Sequence, residues 1–273
     1  MITLANSARW PTSFIQLIRP RSPSLLTSAL IGGQIGSSVV SPEGIAGEKR
    51  SFSGRVGLYS PGEAAALTHI PAPKIRRWLC GHVIGDKDYP ALWRSQLEKF
   101  EMEQLYLSFL DLVQLRVAKA FIDAGLSPQK VRRAIEYCSQ IVFSNYPFAN
   151  ARFRTDGKTV ILHVLKTDGD EELIDLFSNG QYLMQKVIEP SLKNLEFDGD
   201  IARRWWPLGR SKGIVVDPQR QFGQPIDDAT GVPTSVLAKA AKAEGSEAAA
   251  AKRFMVPLAS VNRAVAFELH LAA

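Results

Sequence analysis

The sequence predicts an α+β fold, mainly helical: a helix-turn-helix in the front half, a small antiparallel sheet in the middle and a helix-turn-helix-like module of three helices at the end. Three observations carry this. LYSPGEAAALTHIPAPKIRRW, residues 58–78, sets a capped alanine-rich helix and a tight turn before a basic helix. After Asn150 the apolar period shifts from helical towards alternating, and SEAAAAKRFMVPLASVNRAVAFE, residues 246–268, repeats the outline of the first stretch.

The chain has 273 residues, a formal net charge of +6 and a 45% apolar share, enough for two or three small cores and mildly favourable to a polyanionic partner. Cys80 and Cys138 lie far apart with no C-x-x-C, which argues against a disulfide framework, a zinc site or a redox pair and for a reducing cytoplasm. The most apolar stretch, LLTSALIGGQIGSSVV, is broken by Ser, Thr, Gln and paired glycines and is a poor membrane span. Residues 1–53 read as a disordered leader or a mis-assigned start, and neither GGQIG nor GIAGEKRS has phosphate-loop spacing.

The front half, residues 54–148, is read as follows. Ser60 is the expected N-cap, Pro61 the first helical residue and Glu63 the return arm of a capping box, with the helix running to about Thr68. Ile70-Pro71 makes the turn. In the next helix Ile75, Trp78 and Leu79 share an inward face against Ala64, Ala65 and Leu67, which leaves Lys74, Arg76 and Arg77 outward. A basic outward face behind a tight turn suits a groove lined with phosphates, so Ser60, Lys74, Arg76 and Arg77 are the candidate DNA contacts. A solvated helical hairpin is the plainer reading. LSFLDLVQLRVAKAFIDAGLSPQKVRRAIEYC follows as two helices, with Gly125 as C-cap and Ser127-Pro128 as the next start. Residues 107–120 offer an apolar face for a homodimer or for the core.

Residues 149–200 are expected to form a small β-rich connecting layer. Asp156-Gly157 reads as a hairpin turn, QYLMQKVIEPSL and KNLEFDGD as further strands, and residues 171–177 as a helix. The layer suits ligand sensing, dimer formation or mere connection. Arg203, Arg204, Trp205, Trp206 and Arg210 then crowd into a linker whose residue types concentrate binding energy at interfaces, or which pins the linker to a domain. Residues 201–273 hold this linker, a strand at residues 214–216, the loop GQPIDDATGVP and helices starting near Pro233, Ser246 and Leu258.

His69, His82, His163 and His270 are scattered, with no H-E-x-x-H and no Ser/His/Asp order. Asp198 and Asp200 read as a turn, and Asp168, Asp170, Glu171 and Glu172 as caps for a helix dipole. No enzyme, cofactor or metal is expected.

LYSPGEAAALTHIPAPKIRRW followed by DLVQLRVAKAFIDAGLSPQKVRRAI resembles the DNA-binding domain of MerR-like regulators, where a second helical pair packs on the helix-turn-helix. FGQPIDDATGVPTSVL matches the Gly-x-Pro-hydrophobic and Gly-hydrophobic-Pro pattern of a small module that recurs in bacterial antitoxins. The order of these parts, over about residues 57–268, resembles VapB-type antitoxins of that architecture, although ordinary VapB proteins are shorter and carry a different DNA-binding fold. The resemblance implies operator binding and a PIN-like ribonuclease toxin as partner. By their own chemistry Arg203, Arg204 and Arg210 suit pairing with the carboxylates of such a site and Trp205 and Trp206 suit apolar pockets, while the terminal module, through GQPIDDATGVP, is expected to supply docking area. A MerR-like regulator that senses a small molecule through its middle sheet is the alternative.

Overall fold

A computed structural model describes residues 56–97, 104–168 and 183–272. The chain divides into Met1–Arg50 and Ser51–Ala273, and all described residues belong to the second unit. The expected leader and the expected helix over residues 171–177 lie outside the described residues.

The fold is α+β and mainly helical. Helix α1 (Pro61–Thr68) and α2 (Ala72–Cys80) form the front pair, followed by a short hairpin of β1 (His82–Ile84) and β2 (Lys87–Tyr89). Helices α3 (Phe109–Asp123) and α4 (Pro128–Val142) come next, then α5 (Phe153–Asp168) and a short α6 (Glu189–Leu192) entered through a π-helical turn, Leu183–Ile188. An antiparallel sheet of β3 (Leu195–Asp198), β4 (Ile201–Trp205), β5 (Ile214–Val216) and β6 (Pro225–Asp227) leads to α7 (Thr234–Ala243), α8 (Glu247–Phe254) and α9 (Leu258–Ala272).

Helix α3 is the spine of the main core. Phe109, Leu112, Val113, Leu115, Val117, Ala118 and Phe121 are each at most 1% exposed, and a fully buried large side chain contributes about 1.5–3 kcal/mol. Its start is a capping box of Ser108 and Asp111 that is itself buried. Asp111 also accepts from Trp93 Nε1 at 2.8 Å and from Ser95 Oγ at 2.6 Å, which moors the segment leaving the hairpin onto the spine. The front is tied to the back as well: Leu58 N donates to Phe222 O at 2.9 Å and Tyr59 Oη to Gly223 O at 2.7 Å. Gly223 has φ +85, and a Cβ there would stand 2.3 Å from Tyr59 Oη, so this crossing requires glycine.

The expected β-rich layer over residues 149–200 is corrected. Asp156-Gly157 lies inside α5, not in a hairpin turn. Phe153, Val160, Ile161, Val164 and Leu165 are all buried at helical spacing, and Phe153 stacks into a cluster with Phe148 and Phe121, 4.6 and 6.1 Å between centroids. Gly157 serves close packing, because a Cβ would fall 2.8 Å from the Phe153 ring. QYLMQKVIEPSL is not a strand: its described part is the π-helical turn and α6, with Val187, Ile188 and Leu192 buried and Pro190 in the first turn of a helix, which tolerates it. KNLEFDGD does form a strand, β3, paired with β4 through a bulge at Glu196/Phe197.

A further correction follows. Of the Arg/Trp stretch, Arg203, Arg204 and Trp205 lie in strand β4, inside the sheet between β3 and β5 and not in a linker, while Trp206 and Arg210 fall in the connection to β5. Of the two uses open to the apolar face of residues 107–120, the core is the one seen: its side chains lie in the main hydrophobic cluster. The terminal helices start where expected, and a satellite core of Leu237, Ala250, Val261 and Ala264 holds them together.

Candidate nucleic-acid interface

Helix α1 begins as the capping pattern dictates. Glu63 N donates to Ser60 Oγ at 3.2 Å and Ser60 N to Glu63 Oε2 at 2.7 Å. The Ser60 hydroxyl is thereby engaged in the cap, and a DNA contact from Ser60 would have to share it. The turn closes at His69 in the left-handed region, φ 53, and buried Ile70. In α2, Ile75, Trp78 and Leu79 are buried as expected, while Arg76 and Arg77 are exposed and make no ion pair among the described residues. Lys74 is half-buried, its Nζ 5.0 Å from the Trp78 ring centroid. Exposed guanidinium groups of this kind suit phosphate oxygens.

Sequence reasoning missed the β1–β2 hairpin beside α2. Its signal was present: Gly85-Asp86 is a two-residue turn joining Ile84 to Lys87, with Gly85 at φ +58. Val83 and Ile84 stay 68% and 59% exposed at its tip, so the hairpin projects as a wing next to the basic helix. His82 stacks on Tyr89 at 4.9 Å, and Lys87 Nζ lies 5.2 Å from the Tyr89 ring. Between α2, the hairpin and the first turn of α4 runs a cleft of about 270 Å³.

The Arg/Trp set expected to meet a toxin is largely engaged within the chain. Trp205, 4% exposed, lies under the Arg116 guanidinium at 4.3 Å. Burial lowers the Arg116 pKa to about 10, which leaves it charged at neutral pH. Trp206 packs with Val215 and Ile226 and donates to Glu196 Oε1 at 2.5 Å. Arg204 pairs with Asp217 at 2.7 Å, and with the Gln219 N–H, 2.9 Å from Oδ1, it compensates a fully buried carboxylate. Arg203 is half-buried, with Nε shielded and unpartnered. Arg210 bonds Glu196 yet keeps 71% of its side chain exposed, the most accessible group of the five. The loop GQPIDDATGVP is not a free arm either: Ile226 and Asp227 are fully buried, and Asp227 accepts from Arg263 Nη2 at 2.5 Å and from Thr230 Oγ1 at 2.9 Å.

These pairs set an acid response. Burial pushes the Asp227 carboxyl upward, but hydrogen bonds from Arg263, Thr230 and Ser260 outweigh it and the pKa is lowered. Glu196 is lowered in the same manner, burial being outweighed by Trp206 and Arg210. A carboxylate depressed in the folded state stabilises fully above its unfolded pKa, about 3.9–4.3, and loses that contribution as pH falls through the folded value. Asp227→Asn should therefore be less stable than wild type near neutrality by about 1.5–3 kcal/mol, with the gap closing below about pH 4. Urea melts over an acid series check this.

Among the described residues no cluster of three or more metal-ligating side chains occurs, and no helix is long and apolar enough to cross a membrane. Cys138 is buried, which pushes its thiol up to about 12 and keeps it protonated.

No family model matches the chain. Over 190 residues, 65% of this chain and 79% of the other, it is 25% identical to a Mycobacterium tuberculosis (strain ATCC 25618 / H37Rv) protein named "Putative antitoxin VapB45". The fold is similar to the X-ray crystal structure of Rv2018 from Mycobacterium tuberculosis, with a TM-score of 0.56 and 21% identity across 76% of this chain and 96% of that one.

Proposed function

We propose that the chain is the antitoxin of a type II toxin-antitoxin pair, binding its own operator through α1, α2 and the hairpin and sequestering a PIN-like ribonuclease. The carrying observation is the similarity over 190 residues to a protein named as an antitoxin. The unpaired Arg76 and Arg77 on an exposed helix face support the DNA half of the reading.

The toxin half is assigned to the terminal module with Arg210. Met255 and Leu258, at the turn into α9, are 93% and 47% exposed, and Leu269 near the end of α9 is 67% exposed; apolar side chains left in water suit a protein partner. Arg210 is the member of the Arg/Trp set able to reach a partner's carboxylates without unmaking the sheet. A homodimer matching half-sites roughly 34 Å apart belongs to the same proposal and has to use a surface other than α3.

Co-expression of the full chain, tagged, with the product of each adjoining reading frame tests the proposal. A small protein that co-purifies stoichiometrically and is released by Met255→Asp with Leu258→Asp supports it. A chain that binds upstream DNA yet captures neither neighbour removes the antitoxin reading.

A further inference from the structure

The cleft beside α2 has a lining that contact with DNA does not explain. Lys74, Arg77 and Arg132 bring three cations to it, and none of its lining residues is acidic. Nδ1 of His82 and Nε of Arg132 are shielded from solvent and have no hydrogen-bond partner. The Glu136 carboxylate stands 3.7 Å from that Arg132 nitrogen, too far for a hydrogen bond. Much of the remaining wall is hydrocarbon and ring, supplied by Trp78 and by the Tyr89–His82 stack.

This combination selects a ligand class. A backbone phosphate wants several donors and water around a tetrahedral anion, and would leave the aromatic walls wet. A neutral apolar molecule would leave both shielded nitrogens unmet. A flat ring bearing a carboxylate satisfies both, and a volume of about 270 Å³ admits a one- or two-ring acid but no polymer. We propose that the cleft binds a small aromatic carboxylate, its ring between Trp78 and Tyr89 and its anion between Arg132 and His82. Lys74 and Arg77 line this cleft and also belong to the proposed DNA-reading face, so the bound acid competes with the operator. This competition rests on the DNA-binding reading of α2, whereas the site itself does not. The site lies away from the sheet in which a small-molecule sensor was expected.

Calorimetric titration of the full chain with indole-3-carboxylate and benzoate, against neutral indole and inorganic phosphate, tests the site. At least one acid should bind saturably, at least about tenfold more tightly than indole or phosphate, and Arg132→Gln should weaken it about tenfold or more. Gln129→Trp, which occludes the cleft from an exposed position, should block binding in the same way and serves if Arg132→Gln does not fold. Gel shifts on duplexes tiling the upstream DNA should show the acid displacing DNA from wild type and not from Arg132→Gln. Equal affinity for indole, or no saturable acid binding, overturns the site. So does an Arg132→Gln variant that binds neither acid nor DNA normally and shows a flatter salt dependence, since the cleft then holds a backbone phosphate. Acid binding without any DNA binding by wild type leaves the site standing and removes the reader instead.

Discussion

Trp205→Ala will destabilise the folded chain by about 3–5 kcal/mol, the range for deleting a buried Trp or Phe side chain. Trp205 is 4% exposed at the end of β4, paired with Leu195 on one side and Val216 on the other, so the side chain sits where three strands meet. The substitution also strips Arg116 of the ring its guanidinium covers at 4.3 Å, leaving a buried cation whose Nη1 has no partner. Loss of a desolvated cation–π contact, about 2 kcal/mol, sets the effect toward the upper end of the range. Arg210→Ala is the control from the same stretch: with 71% of its side chain exposed, its stability cost should stay within about 1 kcal/mol. Urea denaturation with unchanged slope and shifted midpoint for Trp205→Ala is the expected record. A variant as stable as wild type would return this tryptophan to the role of a surface anchor.

Arg76→Ala with Arg77→Ala will flatten the salt dependence of DNA binding by about two units of slope and weaken binding at physiological salt on the order of tenfold to a hundredfold. Both guanidinium groups are exposed and form no ion pair among the described residues, so removing them breaks no such pair and the melting curve should move little. Lys74→Ala should do less, because its ammonium already rests on Trp78. Unchanged affinity and slope in the double variant would exclude α2 as the reader.

The parts legible in the sequence are those fixed locally. Ser60, Pro61 and Glu63 specify the start of α1 by hydrogen bonds within one turn, and Ile75, Trp78 and Leu79 specify the buried face of α2 by spacing alone. Ser246 likewise caps α8, its Oγ accepting from Ala249 N at 3.2 Å. Where tertiary packing decides, local signals mislead. Asp156-Gly157 has the chemistry of a hairpin turn, but burial of Phe153 and Ile161 against the aromatic cluster draws it into a helix, and the glycine makes room for a ring. Gly85-Asp86, with nothing packed above it, does turn the chain. The Arg/Trp stretch was misleading for another reason. Tryptophan is at home both in interfaces between proteins and in strands, and only the partners that the fold brings to the stretch, Arg116 from α3 with Glu196 and Asp217 from the flanking chain, tell the two apart.

Neutralisation of a toxin by this chain, as proposed, is measured most directly by the growth of a host strain expressing that toxin. Each adjoining reading frame is induced alone and with the full chain. One frame should arrest growth by itself, the wild-type chain should restore it, and Arg76→Ala with Arg77→Ala should restore it equally well if sequestration uses the terminal module as proposed. Arrest that persists despite soluble, folded chain, or the absence of any arresting neighbour, would contradict the proposal.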